Sequence, residues 1–407
     1  MGFRSQGFAR QVKKIIRRWA SYEHISPLAF VRRCMKGMSR VARQLTSAPT
    51  VMWNADHTKI MVQNYTVTIS QYIQEVQNSL SALAEKVDRD VLCGIKFPSG
   101  SFSLPDDALE TNDMDTQGVG LFSPSTDSDS AEILAVNYHS ATFFLQKLCE
   151  TGCLCQHDGE EIRWNAVQVN EWLLCISEVW SETLTLMHLL ALPGRGTEVS
   201  GWQYANSITS SRHLFLSSTL GTLFTLSNYN KTTAITGQHK HILRVIPHAL
   251  SLIITKLLRI VRPIETLALT SLSIGETSNT QAVYRTYMFV SHGEVWDSGV
   301  LSACLRRWFS RHLKVPFGLH LHRHFAQALQ RHFLSYENET ELAKVANEVL
   351  GHGLEVASHH YAREAEDLCL DSNIRRRMEK VGSDWIRKVH RIEVSPRLDR
   401  KGKARAL

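Results

Sequence analysis

The sequence predicts a mainly α-helical protein that contains a small antiparallel β-sheet. Apolar residues recur at helical spacing through most of the chain, which is typical of amphipathic helices. Three short runs rich in β-branched and aromatic residues are separated by Thr, Gly and Asn, which is typical of strands joined by turns. The chain has 407 residues, of which 43% are hydrophobic and 21% charged, so its length allows about two globular domains.

The first part of the chain is predicted to be a helical N-terminal domain, residues 51–162. Amphipathic helices are expected at residues 66–87 and 132–150. The insert between them, residues 105–131, is acidic and serine-rich and contains no Lys or Arg, so we expect a solvated segment. Asp158-Gly159 lies between short apolar runs and predicts a hairpin turn.

A second domain is predicted over residues 163–370, followed by a C-terminal helix and basic tail, residues 371–407. It begins with a long helix that is broken at Pro193-Gly194. Strands are expected in "RHLFLSS", "GTLFTLSNYN" and "ILRVIP". Helices resume at "PHALSLIITKLLRIV", "SGVLSACLRRWFSRHL", "HFAQALQRHFL" and "ETELAKVANEVLG".

The net charge of +7 and the pI near 9.0 favour a polyanionic partner. The basic residues are concentrated at the two ends of the chain. A basic N-terminal segment, residues 1–50, has Glu23 as the single acid among its first 44 residues. Three interpretations of this segment stay open, namely an arm that contacts DNA, a solvated amphipathic helix and a mitochondrial transit peptide.

Eight irregularly spaced cysteines indicate reduced, buried thiols and not a disulfide framework. Cys149, Cys153, Cys155 and His157 lie close together in sequence and raise the alternative of a zinc site. Their spacing matches no standard CxxC pair, so buried thiols in a hairpin are favoured. We therefore expect no metal at these residues, and no cofactor is expected elsewhere in the chain. Uninterrupted apolar runs fall short of the roughly 18 residues of a membrane span, and no membrane partner is expected.

Several segments of the second domain carry residues suited to one chemical task. "ALPGRGTE" supplies Arg195 and Glu198, and "SNYNKTTAITG" supplies Lys231 at the tip of a predicted hairpin. "GLHLHRHFA" places His320 and Arg323 three residues apart, on one face of a helix. "LGHGLEVASHHYARE" places His352 nine residues before Tyr361.

These residue types suit the cleavage of a phosphodiester. Two guanidinium groups can bind the phosphate oxygens in bidentate fashion while imidazoles donate further hydrogen bonds. A tyrosine hydroxyl can attack phosphorus and retain it as a covalent ester. A lysine or a histidine can then protonate the departing sugar oxygen as general acid. Each residue taken alone has an ordinary structural interpretation, such as a surface ion pair or a core tyrosine, and their combined order carries the hypothesis.

The segments "GRGTE", the hairpin lysine, "HLHR" and "LGH" followed by tyrosine resemble the tyrosine recombinase, or phage integrase, family. The usual forms in that family are GLRxsE, a β-hairpin Lys, HxLR and LGHxxxxxTxxY. The resemblance covers residues 163–370, over half of the chain. "YNKTTAITGQHK" and "RVIPHAL" are similar to the recombinase-like region of fungal telomere-linked RecQ-type helicase proteins and, more loosely, to Crypton-type transposon recombinases.

The resemblance implies a DNA breaking-rejoining catalytic domain. Tyr361 would be the nucleophile that forms a 3′-phosphotyrosyl link. Arg195, Arg323, His320 and His352 would stabilise the transition state, Lys231 would be the general acid, and Glu198 would orient its neighbours. Lys240 lies in the same loop and stays open as an alternative to Lys231. "HLHR" departs from the family pattern, because His322 occupies a position that is usually apolar.

The resulting functional hypothesis is site-specific DNA recombination or integration by a mobile-element protein. Its partner would be double-stranded DNA, on which the chain would assemble as a homo-oligomer, a synaptic tetramer, without a small-molecule substrate. The expected location is the nucleus, with the mitochondrion as alternative. Three rival hypotheses remain: a catalytically inactive, recombinase-derived DNA-binding domain, a type IB topoisomerase-like activity, and an unrelated helical scaffold.

Overall fold

The structure is a computed structural model, and its described residues fall in two units. Residues 1–52 form the first unit and residues 53–407 the second. The described residues are 51–98, 101–102, 116–122, 131–159, 161–217, 219–227, 241–274, 277–334 and 372–395, together with positions 30, 31, 34, 35, 38, 342 and 345.

One short strand, two hairpins and two helices come first in chain order. The elements are β1 (Val51–Trp53), β2 (Lys59–Val62), β3 (Tyr65–Thr68), α1 (Ile69–Lys86), α2 (Ala131–Thr151), β4 (Cys155–Asp158) and β5 (Glu161–Trp164). Strands β2 and β3 pair antiparallel, with Ile60 opposite Val67. The helix expected from residue 66 therefore begins at Ile69, because "YTVT" is rich in β-branched residues and pairs with β2 instead.

The predicted hairpin at Asp158-Gly159 and the predicted helix at 132–150 are both confirmed. Strands β4 and β5 pair antiparallel from Cys155 opposite Trp164 to Asp158 opposite Glu161. Gly159 in the turn has φ +68°, in the left-handed region that glycine adopts without strain.

The remaining elements follow a long helix. They are α3 (Ala166–Leu190), α4 (Gly196–Val199), β6 (Leu214–Ser217), β7 (Thr222–Ser227), β8 (Ile242–Val245), α5 (His248–Lys256), α6 (Arg262–Ser271), α7 (Thr277–Thr286), β9 (Val290–Ser291), β10 (Glu294–Val295), α8 (Ser298–Leu313), α9 (Leu319–Phe333) and α10 (Ser372–Asp384). Single π-helical turns extend α1, α5 and α10 over Val87–Val91, Leu257–Val261 and Trp385–Val389. About 57% of the chain is helical and its sheets are small and antiparallel, in agreement with the predicted mainly α-helical class with a small antiparallel sheet.

Helix α3 lies at the centre of the second unit, where it packs against α1, α5 and α8. It is long and apolar enough to cross a membrane by length and composition, but most of its apolar side chains are buried inside the protein. The Trp172 indole donates to the Val91 carbonyl at 2.8 Å. On the water-facing side, Lys86 pairs with Glu178 at 3.0 Å and Glu182 at 3.2 Å. These acids interrupt the apolar run, which explains why sequence inspection did not single it out.

Strands β6, β7 and β8 form the predicted antiparallel sheet, and all their residues are buried. Helix α10 covers β8, and helix α5 contacts β7. The approach of α10 is close, because a Cβ at Gly382 would lie 3.0 Å from Val245 Cγ2. Since successive strand residues point to opposite faces and all of them are buried, both faces of the sheet are covered.

Residues 372–395 contribute to the core of this chain. The Trp385 side chain is fully buried, and its indole donates to the Leu189 carbonyl at the end of α3 at 3.1 Å. The π turn that carries Trp385 also packs against α9. The expected helix "ETELAKVANEVLG" and the tyrosine segment lie outside the described residues, apart from positions 342 and 345, which are helical.

We predict that Trp385→Ala destabilises the protein by about 3–5 kcal/mol, because it removes a fully buried indole and leaves a cavity. Urea unfolding followed by circular dichroism measures the loss. Arg387→Ala, at an exposed position of the same turn, is the control and should change the free energy of unfolding by less than about 0.5 kcal/mol. Equal stability of the two variants would contradict the buried placement of this segment.

Candidate functional site

The turn after α3 positions Arg195. Leu192 adopts φ +64°, and the chain then passes through Pro193 and Gly194 to Arg195, which is the N-cap residue of α4. The backbone N–H of Arg195 donates to Glu198 Oε2 at 3.2 Å. Glu198 therefore holds the backbone at Arg195 in place through a hydrogen bond within one turn of chain.

Glu198 is itself held by an arginine on β8. Arg244 and Glu198 form a bidentate ion pair in which both side chains are almost fully buried, and the Arg244 Nη2 to Glu198 Oε2 distance is 3.3 Å. Arg244 Nε also donates to the Leu192 carbonyl at 3.1 Å. Arg244 thus ties both sides of the Pro193-Gly194 turn to the sheet.

Arg244 is a residue that the sequence analysis did not select. The sequence does carry a hint of its role. An arginine inside the apolar strand "ILRVIP" is expected to be buried, and a buried guanidinium needs a carboxylate partner. Nothing local in the sequence, however, identifies Glu198 as that partner.

Close backbone packing brings the turn to the beginnings of α8 and α9. A Cβ at Gly196 would lie 2.6 Å from Ser298 Cβ and 2.8 Å from Leu319 Cδ2. Helix α4 can therefore approach both helices only with glycine at this position. Leu319 opens α9, so Arg195 is brought near the first turns of the helix that carries His320 and Arg323.

The guanidinium groups of Arg195 and Arg323 are electrostatic neighbours. Arg323 is half-buried, and its pKa is lowered by burial and then by the positive charges of Arg195 and Arg244, while Glu198 opposes the shift. His320, in the first turn of α9, is exposed, and its ring lies edge to face with that of His324 at 4.9 Å. The structure therefore brings together Arg195, Glu198 and Arg323, with His320 on the same helix as Arg323.

His322 points away from the solvent into the core. Its ring is fully buried, and its centroid lies 5.1 Å from that of the buried His188 on α3. Burial, reinforced by the charges of His390 and Arg323, lowers the pKa of His322 to about 3. Burial likewise lowers the pKa of His188 well below its ordinary value. Both imidazoles are therefore neutral at physiological pH, which is how a histidine occupies a position that is apolar in the resembled family.

The other four sequence-predicted residues lie outside the described part of the chain. Lys231 and its alternative Lys240 fall in residues 228–240, between β7 and β8. His352 and Tyr361 fall in residues 346–371.

The described part of the site is suited to an anion. The charges of Arg195, Arg244 and Glu198 all act on Arg323, so three guanidinium groups and one carboxylate meet among the described side chains. Arg195 and Arg323 are half-buried, and His320, on the same helix as Arg323, is exposed. Within the described ranges, no group of three or more His, Cys, Asp or Glu side chains is arranged to hold a metal ion.

Comparison with known proteins returned no matching family model, no similar curated protein and no similar solved structure.

We predict that Arg244→Met lowers the free energy of unfolding by about 3–5 kcal/mol, because it leaves Glu198 as an unpaired buried charge. Urea denaturation measures the change. Arg311→Met, at an exposed position on α8, is the matched control and should be nearly neutral. The double variant Glu198→Leu with Arg244→Met should be more stable than Arg244→Met alone, because it removes the orphaned charge. A double variant with additive losses would show that the pair is not coupled.

We predict that acid destabilises this protein partly through His322. In the folded protein the pKa of His322 is lowered to about 3, whereas an unfolded histidine titrates near 6.5, so the stabilising contribution is complete above pH 6.5 and is lost as the pH falls toward 3. The loss from this one group amounts to about 2 kcal/mol at pH 5. His322→Leu should reduce the difference in unfolding free energy between pH 7 and pH 5 by that amount.

The measurement is urea denaturation of parent and variant at both pH values. His157→Gln serves as control, because His157 is exposed on β4 and stays in water in either state. An unchanged pH dependence in His322→Leu would contradict a neutral, buried imidazole.

Proposed function

We propose that this protein cleaves and rejoins DNA strands through a 3′-phosphotyrosyl intermediate, as a tyrosine recombinase. In this proposal the helices around the β6-β7-β8 sheet are a DNA breaking-rejoining catalytic domain, and the helical segments before α3 are a DNA-clamping N-terminal domain. Double-stranded DNA is the substrate, and a synaptic tetramer of the chain is the working assembly.

The observation that supports the proposal best is the proximity of Arg195 and Arg323. They come from distant parts of the sequence, yet the charges of Arg195, Arg244 and Glu198 all act on Arg323. Two guanidinium groups that lie close together are suited to bind one anion. A phosphodiester matches two guanidinium groups in charge and in hydrogen-bond geometry.

Each step of the proposed reaction is assigned to one or more of the predicted residues. The hydroxyl of Tyr361 attacks the phosphorus and forms a phosphotyrosyl ester as the bond to the 5′ oxygen breaks. Lys231 donates a proton to that departing oxygen, and the free 5′ hydroxyl later reverses the step on the same or another strand. Arg195, Arg323, His320 and His352 donate hydrogen bonds to the phosphate oxygens, whose charge rises in the transition state.

Exposed cations near this site are in keeping with a DNA partner. Helix α8 begins beside Gly196 and presents Arg306, Arg307 and Arg311 to the solvent. Each contact of such a side chain with a phosphate releases counterions, so we expect binding to weaken steeply as salt is raised.

We predict that the protein forms a covalent adduct with nicked suicide duplexes, on which the cleaved strand end diffuses away and rejoining fails. A pool of duplexes with random sequence around the nick replaces the unidentified target site. Adducts that survive denaturing electrophoresis are digested, and mass spectrometry identifies the modified peptide. The expected modification is on Tyr361, and Tyr361→Phe should abolish it.

Tyr65→Phe is the matched control, because Tyr65 is an exposed tyrosine on β3 outside the proposed machinery. Arg195→Ala should lower the rate of adduct formation by about 10²–10³-fold, the usual effect of removing one transition-state donor. An adduct that persists in Tyr361→Phe refutes the assignment of the nucleophile. Salt-sensitive DNA binding by the parent protein without any adduct would instead identify a recombinase-derived DNA-binding domain.

A further inference from the structure

Five of the eight cysteines gather at one place, although they come from four separate elements. Cys149 lies in the last turn of α2, Cys155 begins β4, and Cys153 lies in the turn between them. Cys93 follows the π turn after α1, and Cys175 lies on α3. Cys153 and Cys175 are both within electrostatic range of Cys93, and Cys149 and Cys153 of Cys155.

Two of the thiols are in direct contact. The Sγ atoms of Cys149 and Cys155 lie 3.4 Å apart, and both side chains are buried. Cys93 and Cys153 are neighbours, and both residues are partly exposed. Among the described side chains no group of three ligands is placed to hold a metal ion.

The turn between α2 and β4 holds the buried pair in contact. Gly152 adopts φ +65°, and a Cβ there would lie 2.9 Å from the Gln156 side-chain amide. The antiparallel pairing of Cys155 with Trp164 holds the strand that carries the second thiol. A disulfide bond is about 2.05 Å long, so the two sulfur atoms need to approach by little more than 1 Å, which is within reach of side-chain rotation.

We propose that Cys149 and Cys155 are a dithiol site that small-molecule disulfides oxidise to an intrachain disulfide bond. One thiolate of the pair attacks the small disulfide, and the first small thiol leaves with a proton. The second thiolate then attacks the sulfur of the mixed disulfide and releases the second small thiol. The two cysteines lose two electrons and two protons in total, and the small disulfide becomes two thiols.

The burial of the thiols and the contact between their sulfur atoms determine the rates of the two steps. Burial raises the pKa of the Cys155 thiol, so little thiolate is present at neutral pH and the first step is slow. Once the mixed disulfide has formed, the partner sulfur is already in contact with it, so closure follows readily. The bond fastens the C-terminal turn of α2 to the β4–β5 hairpin.

The experiment uses the full chain and oxidised glutathione. Reduced protein is incubated with the reagent at mildly alkaline pH, quenched with acid, unfolded, alkylated and digested without reductant. Cleavage after Glu150 separates Cys149 from the peptide that contains Cys153 and Cys155, so a cross-link appears as two joined peptides in mass spectrometry. The expected product joins Cys149 to Cys155, with the alkyl label on Cys153.

Two variants test whether the cross-link joins Cys149 to Cys155. Cys155→Ser should abolish the cross-link at Cys149. Cys304→Ser should leave it unchanged, because the buried Cys304 contacts the Ser181 hydroxyl and lies outside the cluster. Alkylation of both Cys149 and Cys155 after oxidation, or a bond from Cys149 to Cys153, would overturn the proposal. So would a stoichiometric metal ion in native mass spectrometry that has to be chelated before any cross-link forms.

Discussion

The buried ion pair between Glu198 and Arg244 is the contact on which the candidate site depends. Charges this deep in the protein are tolerated only when they are paired and hydrogen-bonded. Here the carboxylate accepts from the guanidinium and from the Arg195 backbone, and Arg244 Nε donates to the Leu192 carbonyl. A short irregular turn, which by itself would have many conformations, is thereby fixed to a strand. The direction in which Arg195 leaves the backbone follows from that attachment.

The same turn explains how two cations come to lie close together. Gly196 allows α4 to touch the beginnings of α8 and α9, and α9 carries Arg323. Repulsion between Arg195 and Arg323 is partly offset by Glu198, which raises the pKa of Arg323 while the two arginines lower it. The proposed DNA phosphate site is built on this gathering of arginines from separate parts of the chain.

Much of the fold was predictable because it follows from local periodicity. The helices at 132–150, from 163 to Pro193 and at "SGVLSACLRRWFSRHL", and the three strands of the sheet, all carry a spacing that a window of ten to twenty residues reveals. The β2–β3 hairpin was missed because Tyr65 to Thr68 also suits the first turn of the following helix, and only pairing with β2 decides between them. The π turns depend on packing and leave no local signal.

In the candidate site, too, some features are predictable from local sequence patterns and others depend on long-range contacts. The order of Arg195, His320 and Arg323 along the chain predicted a common site, but their proximity depends on the Gly196 contact and on Arg244, which no local pattern connects. The residue type alone does not give the charge of the His322 side chain. A histidine beside Arg323 would add a further positive charge if it were protonated, yet burial lowers the pKa of His322 to about 3. The charge of the buried wall behind Arg323 therefore stays constant across physiological pH.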